Sequence, residues 1–124
     1  MNIKLIIATT LFAASTQAKQ VELNPVVNQQ LNAMKYECES CSISMRDYLE
    51  MKAEFCNAKA DANEFQTAFS SSPMVTALMT VHSMDKALYR SQFIPLAKKN
   101  IVCDNDSKWL DVTRTEFTNI NTKP

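Results

Sequence analysis

Four cysteines and one histidine are the side chains of this sequence best suited to chemistry. Cys38 and Cys41 form a Cys-x-x-Cys pair, Cys56 closes the same stretch, and Cys103 lies 47 positions further on. A Cys-x-x-Cys pair that starts a helix can act as a redox dithiol, because the helix start lowers the thiol pKa. Such pairs normally come with a βαβ setting, which the sequence does not offer, so a structural disulfide is the expectation. A zinc site built from all four cysteines is weaker again. A continuous helix would put Cys56 about 22 Å from Cys41 at roughly 1.5 Å per residue, too far to share a metal.

His82, Ser83 and Asp85 have the residue types of a hydrolytic triad. Neighbours on one helix point in different directions, and a triad requires convergence. With one histidine, a multi-histidine metal site within one chain is excluded. The methionines could suggest copper, since thioethers select Cu(I). Met74, Met79 and Met84 are spaced by five, however, which spreads them around a helix, so they read as core filling. Asp104-Asn105-Asp106 lacks the glycine and terminal glutamate of a calcium loop and reads as a helix cap. Asn105-Asp106-Ser107 is formally a glycosylation sequon, relevant only in a eukaryotic source. No catalytic constellation emerges, no cofactor is implied, and the expectation is a non-enzyme.

The elements that would position these residues are helical. Glycine is absent from all 124 residues. This removes phosphate-cradling loops, dinucleotide fingerprints and nucleophile elbows, and it disfavours the tight hairpins of an antiparallel sheet. The expected fold is all-α, a compact bundle of five to six short helices stapled by two disulfides. Asn24-Pro25 caps a first helix over 25–36, on which Val27, Leu31, Met34 and Cys38 share a face. A second helix over 42–58 carries Met45, Leu49 and Cys56, its stripe widened by Tyr48, Met51 and Phe55, with Arg46 and Glu50 paired outside. Asp61 and Glu64 resemble a capping box for a third helix bearing Phe65, Ala68 and Phe69.

Ser72 caps a fourth helix expected over 73–90. Pro95 should break the chain, with a short helix following through 101–103. Asp106 should cap the last helix, on which Trp109, Leu110, Thr113 and Phe117 share a face.

The first residues have the layout of a secretory signal peptide: Lys4, an apolar run over 5–14, and small residues before a cut after Ala18. That run falls short of the roughly 20 apolar residues a membrane span needs. Cleavage takes 18 of 124 residues and leaves 106, one helical domain over 19–124 with loose ends at 19–23 and 121–124. Periplasmic or secreted location follows, with no membrane partner after cleavage and with both disulfides expected to form. The chain has 13 basic and 13 acidic side chains, and losing Lys4 leaves the mature domain near −1. Nothing in that balance points to nucleic acid.

Pairing follows from length. Cys38 and Cys41 lie at the start of the second helix and Cys56 at its end. No bond spans that helix, because a disulfide tolerates only about 4.4–6.8 Å between α-carbons. Cys38–Cys41 with Cys56–Cys103 is what remains.

Residues 65–84 contain no charged side chain, and Lys86, Arg90, Lys98 and Lys99 follow. The uncharged stretch is expected to be core with one edge exposed to a partner. Met74, Met79, His82, Lys86 and Arg90 are the partner-binding candidates. The cations should pair with Asp104, Asp106, Asp111 and Glu116 or steer a charged protein. Signal peptide, small size and disulfides are also the architecture of periplasmic immunity proteins and enzyme inhibitors. This likeness is one of type only, carried by no family motif. The leading expectation is an inhibitor or immunity protein that blocks a toxin or a hydrolase, with a homodimer as a further partner state. Two rival classes are a thiol–disulfide carrier using Cys38 and Cys41, and an acid-stress chaperone.

Overall fold

The computed structural model describes residues 22–122, so the signal-peptide reading of 1–18 lies outside the described residues. The described residues form helices and connecting turns, with no strand among them. Helix α1 spans Pro25–Glu37, with the Asn24 side chain accepting the Val26 N–H at 2.8 Å and proline in the first turn. Cys38 is extended and separates α1 from α2, Glu39–Cys56. The second helix thus starts three residues before the expected 42. Cys38 itself caps it, its sulfur accepting the Cys41 N–H at 3.1 Å.

At the other end α2 stops at Asn57, whose φ of 56° is the left-handed conformation that glycine usually supplies. In a chain without glycine, asparagine is the ordinary substitute because it tolerates this region best. Helix α3, Ala62–Ser71, begins where Asp61 accepts the Glu64 N–H at 2.9 Å. Helix α4 is Pro73–Met84, with Ser72 accepting the Val75 N–H at 3.3 Å.

The single helix expected over 73–90 is corrected. Asp85 is extended, and its carboxylate accepts the Leu88 N–H at 3.0 Å, starting a new helix. An aspartate that bonds the backbone ahead of it competes with continuation of the helix behind it. The break expected at Pro95 is also corrected. Helix α5, Lys86–Leu88, runs through a π turn, Tyr89–Phe93, into α6, Ile94–Lys99. The Ile94 N–H reaches back to the Tyr89 carbonyl, and Pro95 falls in the first turn of α6. Wide π turns of this kind absorb an irregularity without ending the helix.

No helix covers 101–103, and Asn105 caps α7, Asp106–Thr122, by accepting the Lys108 N–H at 2.9 Å. Asp106 is therefore the first residue of α7 and its carboxylate is free for other contacts. Of the end segments expected at 19–23 and 121–124, residues 22–23 and 121–122 are described. Leu23 is buried, the Asn24 N–H bonds the Ala60 carbonyl, and α7 continues to Thr122.

α2 packs on α1 and α4, and α4 packs on α7. Between them lie Leu31, Met45, Leu49, Met51, Met74, Leu78, Tyr89, Phe93 and Trp109, all with 2% exposure or less. Trp109 stacks on Tyr48 and donates from its indole nitrogen to the Ala97 carbonyl, so the largest core residue is also satisfied. Phe55 and Phe69, expected in the apolar stripes, are 45% and 50% exposed. Each lies near the C-terminal end of its helix. The disulfides are Cys38–Cys41 and Cys56–Cys103, the expected pairing. They place this chain in an oxidising, non-cytoplasmic setting. No described helix is long and apolar enough to cross a membrane.

Candidate functional site: an apolar groove between two helices

Pro73, Thr76, Ala77, Thr80 and Val81 recur at the three- and four-residue spacing of one face of α4. Across from them α7 presents Leu110, Arg114, Phe117 and Thr118, and Phe93 lies between the two helices. The result is a groove of about 620 Å³. Its walls are methyl groups and aromatic edges, with Phe93 and Phe117 in an edge-to-face pair at 5.0 Å. Arg114 is its one charged lining residue, and Asp111 one turn earlier holds it at 3.3 Å.

The groove is fixed in shape by what lies at its head. Ser72, the cap of α4, donates to Asp106 Oδ2 at 2.7 Å, joining the starts of α4 and α7. Tyr48 donates to the same oxygen at 2.6 Å, and Lys52 pairs with Oδ1 at 3.5 Å while donating to the Cys103 carbonyl at 2.6 Å. Burial, reinforced by the Asp106 carboxylate, raises the Tyr48 hydroxyl pKa well beyond its ordinary 10, so it stays a donor. A second tyrosine–aspartate contact, Tyr89 to Asp47 at 2.6 Å, ties the π turn to α2 with the same upward shift.

The uncharged stretch 65–84 thus divides as expected into core and an exposed edge. Of the candidate contact residues, Met74 is fully buried and His82 is 3% exposed. Both are corrected to core positions, because α4 turns those faces toward α2. Met79 is half-buried against the core. Lys86 and Arg90 are exposed but engaged, with Glu39 at 3.5 Å and Asp47 at 3.3 Å. Of the expected pairings with the downstream carboxylates, Lys99–Glu116 forms, whereas Asp106 pairs with Lys52. Arg46 donates to Asn28 at 3.3 Å, and its expected pair with Glu50 is not formed. Burial and the neighbouring Asp47 raise the Glu50 pKa.

His82 Nδ1 lies 2.7 Å from Ser40 Oγ, inside the Cys-x-x-Cys loop, and its ring sits edge-on to Tyr89. Burial, then Lys86 and Arg90, lowers its pKa. Asp85 caps α5, so the triad residue types do not converge. Among the described residues no cluster of histidine, cysteine and carboxylates could hold a metal.

Sequence reasoning missed the α7 wall. The sequence places Leu110 and Phe117 on one face with Trp109 and Thr113, and their spacing of seven with Arg114 between them is a usable signal that this face is half-exposed. No family model, curated protein or solved structure matches this chain, so its reading rests on its own residues.

Proposed function

We propose that this chain is an exported, non-enzymatic binding domain that blocks a partner protein, an exported toxin or a cell-wall hydrolase. The observation that carries the reading is the groove between α4 and α7. Two helical ridges with an apolar floor are the shape that receives the apolar face of a partner helix, with anchors at i, i+3/i+4 and i+7. The near absence of charge along it favours burial, since every charge in an interface core must be desolvated or paired. The staple at Cys56–Cys103 and the Asp106 contacts keep the two ridges in register before binding, which lowers the ordering cost.

The test pairs the mature chain with the exported toxin or hydrolase encoded beside its gene. Calorimetry is expected to give a dissociation constant of about 100 nM or tighter, with loss of the partner's activity. Thr80→Lys and Ala77→Asp place charges in the groove and are expected to weaken binding about a hundredfold with helical circular dichroism unchanged. Binding that survives both substitutions would move the interface elsewhere. A partner that neither binds nor loses activity would remove the reading.

A further inference from the structure

The Cys38–Cys41 bond lies outside the groove, which neither cysteine lines. Cys38 is the cap of α2, and its sulfur accepts the Cys41 N–H. A helix start carries partial positive charge, so negative charge on a reduced Cys38 sulfur is favoured there. Cys56 is the last residue of the same helix, where the dipole opposes a thiolate. One helix therefore gives its two disulfides opposite reactivities.

A second observation is independent of the helix end. Tyr36 is 91% and Met84 79% exposed, the two most exposed large apolar side chains among the described residues. Tyr36 precedes Cys38 by two positions. Met84 lies between His82, which reaches Ser40, and Lys86, which reaches Glu39. Both residues therefore lie at the end of the bundle that holds the disulfide. Exposed aromatic and thioether groups around a reactive centre are how a surface holds a peptide segment.

We infer that Cys38–Cys41 is a thiol–disulfide exchange site, with Tyr36 and Met84 seating a cysteine-bearing segment of a partner protein. In the reducing direction, a thiolate of a partner dithiol attacks Cys38 Sγ. The Cys38–Cys41 bond breaks and the electron pair leaves on Cys41, which takes up a proton. The partner's second thiolate then attacks the mixed disulfide and releases Cys38 as a thiolate. The partner dithiol is oxidised to a disulfide and Cys38–Cys41 is reduced, a two-electron exchange. The fold tolerates the reduced state, because this bond closes a step of only three residues and the Cys38 sulfur can keep its N–H contact without it. The inference stands apart from the groove, so either can fail alone.

The test equilibrates the mature chain with graded mixtures of reduced and oxidised glutathione, then alkylates and maps peptides. Cys38–Cys41 is expected to open at a mixture at least about tenfold less reducing than Cys56–Cys103 requires. In Cys41→Ser, ultraviolet titration is expected to place the Cys38 thiol about one pKa unit or more below the ordinary value near 8.5. The doubly substituted Tyr36→Ser, Met84→Ser chain keeps both properties. It is expected to react at least about fivefold more slowly with a reduced apolar cysteine peptide, at an unchanged rate with glutathione. Opening of both bonds together, or a Cys38 thiol at its ordinary value, would overturn the exchange site. An unchanged peptide rate in the double variant would overturn the seating by Tyr36 and Met84.

Discussion

At the C-terminal end of α2, Cys56 is bonded to Cys103, and Lys52 one turn earlier grips the Cys103 carbonyl and Asp106. At the N-terminal end Cys38 is bonded to Cys41, three positions away, and the surroundings are a capping N–H, a buried histidine and two exposed apolar side chains. The same covalent bond thus appears in two settings. One joins segments separated by 47 positions and is backed by an ion pair and hydrogen bonds. The other joins residues that the helix start already holds together. A disulfide stabilises through the freedom it removes from the unfolded chain, so position, more than bond strength, decides its role.

The largest expected effect separates the two ends directly. Removing Cys56–Cys103 by paired alanine substitution is expected to cost about 4 kcal/mol in the chain-entropy model, against roughly 2 kcal/mol or less for Cys38–Cys41. Urea unfolding of the two variants measures the difference, and equal costs would erase the distinction.

Lys52→Met tests whether side chains reinforce the same end. It leaves the Asp106 carboxylate and the Cys103 carbonyl without their cation, at an expected cost of about 2–3 kcal/mol. A change within a few tenths would mean that the disulfide alone fixes this junction.

A control belongs to neither end. Thr113 is fully buried, and its hydroxyl has no hydrogen-bond partner. Thr113→Val keeps the shape and removes the unpaired group, for an expected gain of about 1 kcal/mol by denaturant unfolding. A loss would point to a polar contact at that hydroxyl.

The smallest effect is confined to acid and belongs to the N-terminal end. The His82 pKa in the fold lies below its ordinary 6.5, so the unfolded chain takes up the proton first as pH falls. Stability is therefore complete above that value, declines on acidification, and levels off below the folded pKa. His82→Asn is expected to lose this component of the pH profile, and an unchanged profile would assign it to the carboxylates.

Much of the architecture was legible because the relevant signals are local. Proline after Asn24 and Ser72, the Asp61 cap, and a helix too long for a disulfide to span led to the class, most starts and the pairing. What was illegible depended on competition between neighbours. Asp85 could continue a helix or cap the next one, and in the fold its carboxylate takes the Leu88 N–H and caps. Asp106 looked like a cap, yet Asn105 takes that role and frees the carboxylate for Tyr48, Ser72 and Lys52, contacts made across 34 to 58 positions. The groove was half legible: the charge-free face of α4 was visible, but its opposite wall required knowing that α7 lies beside it.

The contrast between the ends of α2 is tested most directly by stepwise reduction followed by mass mapping and far-ultraviolet circular dichroism on the same samples. The account predicts that the first two thiols released are Cys38 and Cys41, with the helical signal intact, and that the signal falls only when Cys56 and Cys103 open. Loss of helix with the first pair, or first release of Cys56 and Cys103, would contradict it.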